Sequence, residues 1–287
     1  MARILATGIA TLDIINEVSA YPEEDAEVRA LSQRIRRGGN ASNTLCVLSQ
    51  LGHQGYLAGV LIDEADGRLI EADLAHYQVN TQFCPRLREG KMPTSYITLN
   101  RQTGSRTIVH HRACPELSFD AFQQIDLSMF DWLHFEGRNI SELGKILEYC
   151  HQKAPTTPRS LEIEKPRDGI EALFELADWL FFSKHYAEAT GHLSAESLLA
   201  TLQDNYSATC TWGALGAYGL ENGKLLFSPP VILDNVVDTL GAGDTFNAGM
   251  IHSLLTDKSF ADSLRFANQL AARKCQQHGI DQLVKSP

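Results

Sequence analysis

Short apolar runs of strand length recur along the chain with amphipathic stretches between them, and this alternation constrains the fold more than any other feature. Runs at residues 4–6, 132–135, 160–163, 179–182 and 209–212 read as strands, and the segments 141–153, 168–177 and 194–204 carry the spacing of a helix with one apolar face. Strands that alternate with helices are joined by crossovers, which place helices on both faces of a parallel sheet. With 287 residues, 44% of them apolar and 21% charged, the chain can bury one large core, so we expect a single α/β domain over residues 1–287.

A second pattern interrupts the first. Segments 11–18, 28–36, 94–100 and 106–110 read as antiparallel strands, the last two joined by the turn Arg101-Gln102-Thr103-Gly104-Ser105. Together they predict a small projecting β-sheet drawn from about 11–37 and 92–112. Such a sheet has one apolar face to hide, so it covers a site, meets a partner, or does both.

The net charge of -10 excludes a general affinity for nucleic acid or anionic membrane, both of which need a basic face. An anionic substrate therefore requires a local positive site. Six scattered cysteines, with no C-x-x-C pair, point to buried free thiols in a reducing compartment and to no structural zinc. No stretch reaches the ~18 apolar residues of a membrane span, and no cleavable leader is recognisable, so a soluble cytoplasmic protein is expected.

The run Gly241-Ala242-Gly243-Asp244 immediately precedes an apolar helical stretch at 246–255 and follows residues 231–233 and 236–237, which read as strand. It thus sits at a helix N-terminus, where free N–H groups and the helix dipole favour an anion and glycines let it approach the backbone. A carboxylate there can accept a hydroxyl proton beside a phosphoryl group. The plainer alternative is an aspartate that only stabilises the first turn. Neither a dinucleotide fingerprint nor a P-loop is present, because Phe246 stands where a third glycine belongs and Gly223-Lys224 is followed by Leu225.

A second constellation is Arg37-Gly38-Gly39-Asn40-Ala41-Ser42-Asn43, leading into a helix. Asn40 and Asn43 lie about one helical turn apart, so their amides can point the same way and serve the hydroxyls of a neutral sugar. Asp13 would add a fixed acceptor. A capped helix with Asn40 as N-cap is the alternative. Arg34, Arg36 and Arg37 read as a solvated strand face, His110 and His111 as residues on opposite faces of a strand, and Glu162 and Glu164 as surface strand residues.

These motifs, together with Tyr21-Pro22-Glu23-Glu24-Asp25, Gly104-Ser105-Arg106-Thr107-Ile108, Glu136-Gly137-Arg138-Asn139 and Glu164-Lys165-Pro166-Arg167, resemble the ribokinase or PfkB family of carbohydrate kinases, in particular its ketohexokinase (fructokinase) branch. The resemblance runs over nearly the whole chain. It implies a ribokinase-like three-layer α/β sandwich with the projecting sheet as a lid, and a homodimer formed by two lids. It implies phosphorylation of D-fructose at the 1-hydroxyl by ATP with Mg²⁺, a monovalent cation being a further candidate. Asp13, Gly39, Asn40 and Asn43 match positions that bind the sugar. Arg106 and Gly213, Ala214, Leu215 and Gly216 match nucleotide-binding positions. Gly241, Ala242 and Gly243 match the anion hole, and Asp244 the catalytic base. Where many members carry Asn-x-x-Glu to organise Mg²⁺, this chain has Ser183-Lys184-His185-Tyr186, which leaves the metal's surroundings unassigned, with Glu162 and Glu164 as candidates. The alternatives are a kinase for another sugar, a phosphosugar or a nucleoside, and a catalytically silent sugar-binding regulator of the same fold.

Overall fold

The computed structural model describes residues 1–284. In chain order its strands begin with β1 (Arg3–Thr7), β2 (Thr11–Val18), β3 (Ser32–Gly38) and β4 (Gln54–Ala58). Then come β5 (Leu61–Ile62), β6 (Arg86–Leu87), β7 (Lys91–Asn100), β8 (Arg106–Ala113) and β9 (Trp132–Glu136). The last are β10 (Arg159–Ile163), β11 (Trp179–Ser183), β12 (Ser207–Thr211), β13 (Ala217–Glu221) and β14 (Lys224–Ser228). The helices are α1 (Asn40–Gln50), α2 (Ala65–His76), α3 (Phe119–Phe122), α4 (Ile140–Lys153), α5 (Lys184–Ala189), α6 (Ala195–Leu199), α7 (Ala242–Leu255) and α8 (Phe260–Cys275).

The main sheet has the order β14-β13-β12-β11-β10-β9-β1-β4. Six neighbouring strands from β12 to β4 run parallel, and β13 and β14 close the edge as an antiparallel meander. The pleat sends alternate residues into two separate cores. Leu180 and Phe182 pack on the side of α4, α5 and α6, whereas Phe181 faces the side of α1, α7 and α8. Each fully buried leucine or phenylalanine stabilises by about 1.5–3 kcal/mol, which is why the strands read as apolar runs and not as simple alternation.

From β1 the chain first adds β4 on one side and later β9 on the other, so the order reverses between β1 and β9. Beyond the carboxyl ends of the strands at such a switch point the connections diverge and leave a crevice.

The small sheet has the order β3-β2-β7-β8. Its strands do not all run antiparallel as the sequence suggests. The hairpins β2/β3 and β7/β8 are antiparallel internally, but they join through β2 and β7, which run parallel. The β7/β8 hairpin is closed by the short turn 101–105 and β2/β3 by the longer loop 19–31, and the two lie side by side with their first strands running in the same direction.

Other expectations need correction. Strand β3 begins at Ser32, and residues 26–30 carry no regular structure. Residues 231–237 form no ladder; Pro229 and Pro230 contribute no N–H donors at its entry, and the Val237 N–H bonds the carbonyl of Cys275 at 2.8 Å instead. Segment 168–177 contains a 3-10 helix at Ile170–Leu176 behind Gly169, and in 194–204 only Ala195–Leu199 is helical.

Candidate active site

The crevice at the switch point is roofed by the small sheet and encloses about 620 Å³. Among the residues lining it are Asp13, Gly39, Asn40, Asn43, Arg106, Gly241, Gly243 and Asp244, brought together from four separate parts of the sequence. Ala242 opens α7 beside them. Gly213, Ala214 and Leu215 instead form a 3-10 turn after β12, closed by Gly216, and do not line the crevice.

Two helix starts converge on this space. Gly39 caps α1 with φ 97°, and a Cβ on it would lie 2.3 Å from the carbonyl oxygen of Ile9, so only glycine lets this backbone pass so close to the end of β1. The cap is therefore Gly39, not Asn40, which is the first helical residue. At the other helix Gly241 takes the left-handed conformation, φ 79°, and places Asp244 in the first turn of α7.

The loop leading to α7 is fixed by a buried ion pair. Lys274 on α8 is fully buried and bonds both Asp238 Oδ2, at 3.0 Å, and the Asp238 carbonyl, at 2.9 Å. Asp238 in turn accepts the N–H groups of Leu240 and Gly279. Breaking one partner of such a pair typically costs about 3–5 kcal/mol, so the glycine run is held on a stiff support.

Asp244 is buried, and its Oδ2 accepts a hydrogen bond from Asn43 Nδ2 at 2.6 Å. Burial is the main reason its carboxyl is held above the usual carboxylate range; the bond from Asn43 opposes that shift, while Glu164 and Glu136 add to it. Glu162, on β10, is raised mainly by burial as well, with the charge of Asp244 the next largest cause. It is no surface residue: β10 lies in the middle of the main sheet, and Glu162 is 6% exposed. Its Oε1 accepts from Asn40 Nδ2 at 3.0 Å, and its Oε2 is buried with no hydrogen-bond partner. A charged residue inside an otherwise buried strand, Arg159-Ser160-Leu161-Glu162-Ile163, was the signal that could have revealed it.

Arg37 is likewise buried and not part of a solvated face. Its Nε donates to Asp73 at 2.6 Å, and its Nη1 donates to Ser42 Oγ at 2.9 Å and to Asn43 Oδ1 at 2.7 Å. Arg34 and Arg36 do line the crevice, from the small sheet. There the strand register sets Arg36, Asp13, Ser95 and His110 in one row across β3, β2, β7 and β8, all facing inward. Asp13 accepts from Thr11 Oγ1 at 2.9 Å, and burial raises its carboxyl. Arg106 reaches from β8 to donate to Thr239 Oγ1 at 3.1 Å, linking the small sheet to the loop before α7. Arg138, Lys165 and Arg167 also line the space; their motifs were visible in the sequence, but their roles were not.

The sequence profile of the pfkB family of carbohydrate kinases matches residues 1–286. The chain belongs to this family. It is a carbohydrate kinase, and the ketohexokinase of Mus musculus is 39% identical to it over 294 residues, covering 98% of this chain and 99% of that protein. The fructosamine kinase FrlD of Bacillus subtilis is 28% identical over 255 residues, 84% of each chain. The pfkB kinase also shares its fold with solved ribokinases. That of Arabidopsis thaliana, complexed with ribose and ATP, superposes with a TM-score of 0.81 at 22% identity over 97% of this chain and 94% of its own. That of Cryptococcus neoformans, in complex with ADP, gives 0.80 at 21% identity over 99% and 97%. The ribokinase-like α/β architecture is thus established. Among the described residues no helix is long and apolar enough to cross a membrane.

Proposed function

We propose that this pfkB kinase transfers the γ-phosphoryl group of ATP to the 1-hydroxyl of D-fructose or a near relative among ketohexoses, with Asp244 as general base. The observation that carries the reading is the buried Asp244 carboxylate in the first turn of α7, bonded by Asn43 and open to the crevice. The substrate class is supported by the similarity to a ketohexokinase.

In this reading Asp13, the Gly39 backbone, Asn40 and Asn43 hold the sugar under the small sheet, which acts as a lid. Arg106, and the turn Gly213 to Gly216 further out, serve the nucleotide. The amides of Gly241, Ala242 and Gly243 receive the transferred group. As the acceptor O–H bond breaks, its proton passes to Asp244 and its oxygen bonds to phosphorus, while the bond from phosphorus to the ADP oxygen breaks. Charge in this loose transition state is spread over the phosphoryl oxygens, so positioning and fixed dipoles supply most of the acceleration.

The acidic side chains lining the crevice fit Mg²⁺. No group of three acidic, histidine or cysteine side chains suited to a metal exists among the described residues, yet the free, buried Glu162 Oε2 lacks a partner that a hydrated cation would provide. Glu162 and Glu164 would hold such an ion, which when bound neutralises phosphate charge. Titrating potassium into an assay of MgATP-dependent ADP release tests the monovalent cation.

A phosphosugar acceptor is the second reading, favoured by Arg34 and Arg36, which line the crevice and form no ion pair among the described residues. ADP release with MgATP, measured across fructose, ribose, fructose phosphates and a nucleoside, separates the two. Fructose should give the highest kcat/KM. Preference for a phosphorylated or nucleoside acceptor would replace the substrate, and sugar binding without ADP release would point to a silent regulator.

A further inference from the structure

The amide of Asn43 has one acceptor and one donor end, and the structure uses both on charged partners. Its Oδ1 accepts from Arg37 Nη1 at 2.7 Å, and its Nδ2 donates to Asp244 Oδ2 at 2.6 Å. A guanidinium can only donate and an ionised carboxylate can only accept. Rotating the amide by half a turn would therefore face oxygen with oxygen at Asp244 and donor with donor at Arg37. The clash at Arg37 stands whatever the protonation of Asp244, whose neutral form burial favours and which could then donate to a rotated amide, so the guanidinium decides which way the amide points.

Arg37 is itself held from several sides. Its Nε is paired with Asp73 on α2 at 2.6 Å, its Nη1 also bonds Ser42, and its Cζ lies 5.9 Å from the centre of the Tyr77 ring, just past the end of α2. The Arg37 side chain is 2% exposed, whereas that of Asp73 is 34% exposed. A continuous chain of polar contacts thus runs from α2 through Arg37 to α1 and on to the first turn of α7.

We infer that Arg37 and Asp73 are positioning residues for phosphoryl transfer, fixing the Asn43 amide so that it occupies Asp244 Oδ2 and leaves Oδ1 as the oxygen that takes the acceptor proton. The inference rests on Asp244 being the base. It assigns α2, which the proposed reading leaves without a role, to the support of the reacting carboxylate. Asp73 itself lines the crevice but makes no hydrogen bond to Asn43 or Asp244; its link to the reacting carboxylate is the guanidinium, and a direct contact with the sugar would show instead in the KM for fructose.

The test is a double-mutant cycle on the full chain with MgATP and fructose. Asp73→Asn should lower kcat about tenfold, with KM for fructose and for ATP changing less than about twofold, because the geometry lost matters at the transferring proton. In an Asn43→Ala background the same substitution should cost nothing further, since the amide it aligns is gone. Arg37→Lys, which keeps the charge but not the planar fork, should reproduce the selective loss in kcat. Thermal melts normalise each rate to folded enzyme, and Arg37→Lys supplies the measurement if Asp73→Asn does not fold. Unchanged kcat per folded enzyme in both single variants, KM shifts as large as the kcat loss, or full additivity with Asn43→Ala would overturn the positioning role. Failure of the underlying reading looks different: an Asp244→Asn enzyme with near-normal kcat removes the base itself.

Discussion

The eight-stranded sheet and the four-stranded sheet dispose of their apolar surface in different ways. The large sheet is covered by helices on both faces, so strands such as Arg159–Ile163 are buried throughout. The small sheet turns one face to the crevice and leaves the other with Ile35, Tyr96 and Val109 aligned in one row across its strands, 50%, 47% and 65% exposed. Stability thus resides in the large sheet. In the proposed reading the small one gains its cover from what it meets, a sugar on the inside and a second copy of the chain on the outside. Chemistry divides along the same line: the large sheet and its helices present buried carboxylates, and the small sheet presents mainly cations and polar groups around Asp13.

The largest contrast should come at the scaffold side of the site. Asp244→Asn should lower kcat by about 10²–10⁴-fold, equivalent to about 3–5 kcal/mol of barrier, in a steady-state assay with saturating MgATP and fructose. The variant should also melt no lower than the wild type. Burial raises the Asp244 carboxyl, so the stability of its neutral form is present at low pH and lost as pH rises through the raised value. Asparagine does not ionise, and the melting temperature of the variant relative to wild type should therefore increase with pH. By the same sign, kcat of the wild type should rise with pH on a limb lying above the ordinary carboxylate value of about 4. A variant that keeps more than about a tenth of the activity would deny Asp244 its role.

Packing gives the next largest difference. Leu161→Ala, in the middle of the large sheet, should cost about 2–5 kcal/mol in denaturant unfolding, whereas Val109→Ala on the outer face of the small sheet should stay within about 0.5 kcal/mol in the monomer. Comparable losses at the two positions would erase the distinction between the sheets. At the crevice, Asp13→Ala should weaken fructose by about 1.5–3 kcal/mol, roughly 10–100-fold in KM, and leave the KM for ATP nearly unchanged. Equal changes for both substrates would move Asp13 out of the sugar site. Smallest in its effect on the fold is Val109→Glu. It should leave the melting curve of the monomer nearly intact and convert a dimer to a monomer in sedimentation, and a wild type that sediments only as monomer at micromolar concentration would leave the outer face uncovered.

Much of this was legible in the sequence for an identifiable reason. Parallel strands buried on both faces produce unmistakable apolar runs, and all five runs read as strands fall on main-sheet strands. A helix N-terminus bearing glycines and an aspartate announces itself locally, as Gly241 to Asp244 did. What was hidden depends on contacts between distant segments. The parallel join of β2 to β7 leaves no local mark, because each hairpin looks antiparallel from within. The burial of Arg37 depends on Asp73, which is 36 residues away; that of Glu162 is hinted at by its place in a short strand but follows from the central position of that strand in the main sheet. Residues 231–237 show the converse error, since their strand-like composition is overridden by the absence of a neighbour with which to pair.

That same parallel join has a bearing on how the chain is made. The first hairpin is complete at Gly38, but the strand it must sit beside does not begin until Lys91. At synthesis rates of about 5–20 residues per second, the hairpin waits on the order of several seconds with its edge unpaired. During that interval the ribosome has delivered α1, β4 and α2 but none of the strands from β9 onward. Nascent chains stalled just before Lys91 should therefore be the species most readily captured by chaperones that recognise open strand edges, and those stalled soon after Ala113 should be released.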